Sequence, residues 1–254
     1  MMRLIPLLLT IVVLWSAPLL TSYDPTDTAP AEQYLRPSVE HPAGTDHLGR
    51  DVFSRTLYGG QRTLLIGFAS ATLAVIGGTL LAIPAIFQNQ LLDAAIDVVL
   101  DAFLAFPALI LALVVMTLLG RGSISLILAT GFAQMPYFAR VMMTLIRAVF
   151  IEDYILAARS QGAGSLWILR IHVWRAIQPT FFAYAAITFS YTLINSAALS
   201  LLGLSADPSQ PDWGVMLLDG RTGFRTAPWA VIAPGAALTL TVLVVQNLAT
   251  PNRV

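Results

Sequence analysis

Apolar residues gather in six long stretches separated by polar breaks, some short and two of about forty residues, at residues 4–20, 64–87, 96–119, 123–139, 180–203 and 229–248. A helix of about 20 such residues crosses a hydrocarbon core of about 30 Å. The pattern predicts an all-α integral membrane protein with six transmembrane helices and no internal repeat. It divides into a first span over 1–20, a polar segment over 21–63 and a five-helix core over 64–254. The fourth stretch is short and holds Gln134 and Pro136 near its middle. A proline there frees a backbone carbonyl that needs a partner within the protein, so this span should face other helices. The first stretch has two readings. Arg3 before an apolar run suits a secretory signal, but Pro18 directly after Ser16 and Ala17 suits cleavage poorly and favours a retained span.

Between the spans, the 21–63 segment is rich in proline, aspartate and glycine and reads as irregular chain ending in a short amphipathic helix. The stretch "EDYILAARSQGAGSLWILRIHVWRAIQP", residues 152–179, is helix-compatible, is broken by Gly162 and Gly164, and resumes as an amphipathic run from 166 to 177. Glycine readily supplies the left-handed backbone that ends a helix. The result is helix, hinge and helix at a membrane surface, with Ala157 and Ala158 small enough for close approach by another backbone. An interfacial helix that merely joins two spans has the same pattern.

Composition narrows the function. The chain of 254 residues is 57% hydrophobic and 11% charged, with zero net charge, whereas a soluble domain carries about 25% charged residues. With no basic surplus, nucleic acid is excluded as a natural partner. Every basic residue is arginine; lysine is absent, and so is cysteine. A Walker A loop needs its lysine to reach the terminal phosphates, so any ATP that drives this protein is hydrolysed elsewhere. Arginines are nearly balanced between the two sets of loops, so the positive-inside rule leaves the orientation open.

Several motifs in order carry a resemblance. "YILAARSQGAGSLWILRIHVW" resembles the EAA loop of ABC importer permeases. "GTDHLGRDVFSRTLYGGQRTLLIG" at 44–67, "DAFLAFPALILAL" at 101–113 and "LSLLGLSADPSQPDWGVMLLDGR" at 199–221 are similar to segments of the peptide/nickel branch of that family. The resemblance spans most of the chain. It departs from the family at Leu156, where a glutamate is usual, at Arg175, where a proline is usual, and in lacking a longer C-terminal tail.

The resemblance implies a type I ABC importer permease fold in the bacterial inner membrane, with both termini cytoplasmic. It implies a cytoplasmic coupling loop over 150–178, in which Tyr154, Ala157, Ala158, Arg159, Gly162 and Ala163 meet an ATPase. The implied partners are a second homologous permease, two ABC ATPases that hold ATP and Mg²⁺, an extracytoplasmic substrate-binding protein and the lipid bilayer. No cofactor, metal or catalytic residue is expected on this chain. Asp101, Gln134 and Trp213 are candidates for the pore or its gate; Asp46, Arg50, Asp51, Asp212, Trp213 and Gly214 are candidates for binding-protein contact. Nickel or a metal chelate is the favoured cargo, with di- or oligopeptides as the alternative.

Two features keep a different class open. Asp93, Asp97 and Asp101 recur every four residues, and so share one helix face. They read either as a cation-attracting stripe, suiting a self-sufficient carrier or channel, or as boundary acids that favour a helix N-terminus. An assembly subunit without a transport role is a further alternative. The histidines, His41, His47 and His172, form no spaced cluster, and Arg140 is expected to snorkel to the surface.

Overall fold

The computed structural model describes residues 4–87, 89–204, 207 and 209–249 and is helical, with one isolated bridge, Thr45 to Asp51, as the β pairing among them. Arg3 and residues 250–254, on which the signal-sequence and short-tail readings bear, lie outside the described residues. The helices are α1 (Leu4–Trp15), α2 (Ala17–Leu20), α3 (Val52–Ala82), α4 (Gln90–Leu104), α5 (Ala108–Leu119), α6 (Ser123–Phe150), α7 (Asp153–Ser160), α8 (Ser165–Ile168), α9 (Trp174–Leu199), α10 (Trp213–Gly220) and α11 (Trp229–Ala249). Three runs are long and apolar enough to cross a membrane: Val52–Phe87, Ser165–Leu204 and Trp229–Asn247. The pair α4–α5 makes a fourth if its two halves count as one span. The apolar part of the first helix, Ile5–Trp15, is shorter, and α6 is long but carries Arg140 and Arg147.

The elements depart from the sequence pattern in three places. The expected span over 96–119 is broken, and α4 and α5 meet at 86°. Pro107 is the N-cap of α5, and a proline disfavours helical backbone at the residue before it, so the chain turns at Phe106. The expected amphipathic helix before the second span is instead the first turns of α3 itself. Asp51 caps that helix by accepting from the Ser54 N–H at 2.6 Å. Pro179 does not divide the surface run from the next span either. The helix continues from Ser165 to Leu204, with a π-helical turn at Leu169–Val173.

The bundle core is built on close backbone approach between α3 and α6. A Cβ on Gly78 would lie 2.9 Å from both the Met135 carbonyl and the Ala139 nitrogen, and one on Gly131 would lie 2.8 Å from the Ser70 carbonyl. Small residues let two helices pack this closely where lipid supplies no hydrophobic drive between them. Ser70 and Thr130 hydroxyls bond across the same seam at 2.7 Å. One end of the bundle is closed by a cluster around Phe138, Met142, Phe150, Ile155 and Ile168. The other is closed by Trp213, Leu14, Leu193 and Val52 under the polar segment.

Candidate functional site

The short helix α7 stands at the first end of the bundle. Ile155 is buried in the core cluster and anchors it, while Tyr154, Leu156 and Ala157 are exposed and Ala158 is half-buried. Its C-terminus is a Schellman turn. Gly162, with φ +86°, donates its N–H to the Arg159 carbonyl at 2.8 Å, and the Ala163 N–H reaches the Ala158 carbonyl at 3.1 Å. Arg159 lies over the Phe150 ring at 5.0 Å, tying α7 back to the end of α6. Ala163 packs on the core. Ala158, Gln161, Gly162, Ala163, Gly164 and Trp167 line an open depression of about 430 Å³. His172, on the π-helical turn, sits between Tyr154 and Trp167, with ring centroids 5.7 and 5.3 Å away. The hinge residues thus share one exposed surface whose angle to the bundle is held by rings on both sides.

Beside this end, the aspartates of α4 meet arginines of α6. Asp97 accepts from Arg140 at 2.8 Å and from Arg147 at 3.1 Å, Asp101 pairs with Arg140, and Asp93 lies 3.7 Å from Arg147. This corrects the expectation for Arg140: it is turned to α4 rather than to the surface. The three carboxylates of the stripe face two guanidinium groups, so most but not all of its charge is paired. As a bare cation path it is therefore weakened, and Asp101 remains 71% exposed at its open end.

At the opposite end, the polar segment folds over the tops of α3 and α10. Asp46, Arg50, Asp51, Asp212 and Trp213 all have relative exposures of 5% or less. Arg50 bonds Asp46 at 2.7 Å and Asp219 at 2.8 Å, while Arg55 lies 3.2 Å from Asp219 and 3.5 Å from Asp46. His41 lies between Asp51 at 2.8 Å and Glu32 at 3.5 Å. Asp212 caps α10 by accepting from Val215 at 2.9 Å, and the Trp213 indole donates to the Thr56 carbonyl at 2.9 Å. Gly214 lets α10 touch the α9 backbone at Ala197. These side chains point inward and fix the lobe's shape. His47 comes within 4.8 Å of Asp46 and Asp219, but those two carboxylates already serve Arg50 and Arg55.

Gln134 is buried on α6, between the two ends. The sequence reading missed Asp219, which lies far along the chain from Arg50 and has no local signal. It also missed the hydroxyl and amide residues of α9, whose spacing was visible in principle.

The profile of the family described as "binding-protein-dependent transport system inner membrane component" matches residues 74–250. The chain is 35% identical over 227 residues to a dipeptide transport system permease of Alkalihalophilus pseudofirmus, covering 89% of this chain and 75% of that one. It is 34% identical to a di/tripeptide transport system permease of Pseudomonas aeruginosa, over 80% of this chain and 67% of that one. It is also 34% identical to a glutathione transport system permease of Escherichia coli, over 82% and 68%.

Proposed function

The chain belongs to the family of binding-protein-dependent transport system inner membrane components, and from that we propose that it is the pore-forming permease subunit of an ATP-driven peptide importer. Six spans, both termini in the cytoplasm, a second permease, two ATPases and an extracytoplasmic binding protein complete the reading. ATP and Mg²⁺ stay on the ATPases. The names of the relatives favour di- or oligopeptides, glutathione among them, over the nickel cargo that the sequence motifs suggested. The arginine-paired α4 stripe also weakens the ion-coupled carrier, because its carboxylates face Arg140 and Arg147.

The observation that carries the proposal is the exposed α7 hinge. Its Ala157 and Ala158 offer a small-residue surface, and the Gly162 turn and the Arg159–Phe150 contact fix its attitude to the bundle. A push on α7 is transmitted to α6 and α9 because both pack against it or its flanking turn. The permease breaks no covalent bond; its partners bias an equilibrium between inward-open and outward-open forms. Of the pore candidates, Asp101 is exposed beside the α7 end, whereas Gln134 and Trp213 are buried, Trp213 in the core cluster with its indole bonded to the Thr56 carbonyl, so a gating role is kept for Asp101 alone. At the outer lobe, the buried Asp46, Arg50, Asp51 and Asp212 shape the surface that a binding protein meets rather than touching it themselves.

Co-purification with candidate ATPases tests this. Gly162→Pro cannot adopt φ +86° and loses the N–H that closes the turn, so ATPase co-elution should be lost while the chain still purifies as a folded membrane protein. Retained co-elution would refute α7 as the docking element.

A further inference from the structure

Among the spans, α9 carries Tyr184, Thr188, Tyr191 and Asn195. Their spacing of four, three and four residues puts all four on one face of an α-helix. The stripe covers about 16 Å of helix at 1.5 Å per residue, roughly half of a hydrocarbon core. Its centre, Tyr191, is 52% exposed in the middle of an apolar span. The neighbouring helix α6 adds to the same side. Tyr184 packs beside Phe138, with ring centroids 5.7 Å apart and the rings tilted by 43°. The Tyr137 hydroxyl also reaches the Phe106 carbonyl, at 3.4 Å, where α4 and α5 separate.

A different face of α9 is wholly apolar. Phe181, Phe182, Ala185, Ala186 and Phe189 line a groove of about 550 Å³ against α1 and α3. One helix thus has an aromatic, hydrocarbon-like face and a hydroxyl- and amide-bearing face. A hydroxyl turned to lipid without a partner costs about 1–3 kcal/mol. Polar groups in spans accordingly face a bundle interior or a water-filled cavity.

Thr188 is itself buried, its hydroxyl donating to the Tyr184 carbonyl at 2.9 Å, and so supports the stripe from behind. We propose that Tyr184, Tyr191 and Asn195, with Tyr137, wall a water-filled translocation path and contact the moving substrate. The stripe contains donors and acceptors but no formal charge, so it fits the amide groups of a peptide chain whatever the charge of its side chains. It offers nothing to retain a bare metal cation. This rests on the transport reading above and assigns that path to particular residues.

This chain has no cysteine, so single cysteines can be introduced into it without removing others, and labelling is read on this subunit against the unsubstituted chain. Tyr191→Cys, Asn195→Cys and Phe182→Cys are prepared in the complete transporter in membrane vesicles. Each is exposed to a charged, water-soluble methanethiosulfonate reagent. Positions 191 and 195 should react on the order of tenfold or more faster than 182, because only a hydrated thiol ionises to the reactive thiolate. Trapping the ATPases with ATP and vanadate should change the rate at 191 but not at 182. Equal, slow labelling at all three positions overturns the proposal. Labelling at 191 that appears only after the second permease is removed overturns it too, and assigns the stripe to a subunit interface. A scored co-elution of ATPase in the same preparation separates failure of the transport reading from failure of the stripe. Tyr191→Phe, which keeps the ring, guards against a misfolded variant: it should raise KM for alanyl-alanine uptake while the complex still elutes intact.

Discussion

The alanine substitutions at the two glycines of the hinge separate backbone geometry from bulk. Gly162 has φ +86°, and a Cβ built there meets no atom within 4 Å. The cost of Gly162→Ala is therefore conformational: an L-residue in the left-handed region costs about 1–2 kcal/mol. Gly164, two residues on, is equally open, but its φ of −74° and ψ of 155° are ordinary extended backbone. Alanine there should cost nothing and even gain slightly by restricting the unfolded chain. If an ATPase binds α7 with the hinge intact, the penalty at 162 weakens docking by roughly 5- to 30-fold, since about 1.4 kcal/mol is tenfold. Titrating the ATPase against reconstituted permease, with bound fraction and substrate-stimulated ATP hydrolysis as readouts, measures this directly. Gly162→Asn should lose less than Gly162→Ala, because asparagine tolerates the left-handed region. Gly164→Ala should stay within about twofold of the parent, as open surface changes generally do. Equal losses at 162 and 164, or no loss at 162, would refute the argument that the turn sets the docking angle.

The α4–α6 ladder should behave as a coupled unit: Asp97→Ala and Arg140→Ala each cost about 1–2 kcal/mol, discounted for side chains about 30% exposed, and a double-mutant cycle of thermal unfolding in detergent returns a non-additive term. At the opposite end, Asp219→Ala removes one of the two carboxylates shared by Arg50 and Arg55, whose side chains are 6% and 1% exposed, and leaves Asp46 as the other. A loss of about 1.5–3 kcal/mol is expected by thermal unfolding, because charge-assisted bonds are lost while both guanidinium groups keep a partner. In the α3–α6 seam, Gly78→Ala sets a methyl 2.9 Å from two backbone atoms and should cost about 1–3 kcal/mol. Gly235→Ala is its control in α11. Its nearest neighbour is a Leu217 methyl at 3.7 Å, so better helix propensity should make it neutral or stabilising by up to about 1 kcal/mol.

What the chain determines by itself is what depends on short-range pattern. Hydropathy selects lipid as solvent because helical runs such as Val52–Phe87 satisfy their backbone internally and need only apolar side chains. The absence of lysine rules out a P-loop without reference to any fold. The hinge is local too: Gly162 and Ala163 close the turn onto carbonyls three and five positions back along the same segment, so it was legible as a helix break. Which face meets which was not. The α4 aspartates show the same four-residue spacing whether they line a pore or meet arginines. Only the placement of α6 against α4, with Asp97 and Arg140 43 positions apart, chooses the second. The union of Arg55 with Asp219 spans 164 residues, and the motifs on either side of it read as exposed docking loops until the fold buries them together. Even the bend after α4 is only half local. Pro107 marks the place, while the 86° angle is set by how α4 and α5 pack against α6. Charge pairing and burial are properties of opposed surfaces, and a linear pattern fixes each surface without fixing its opposite.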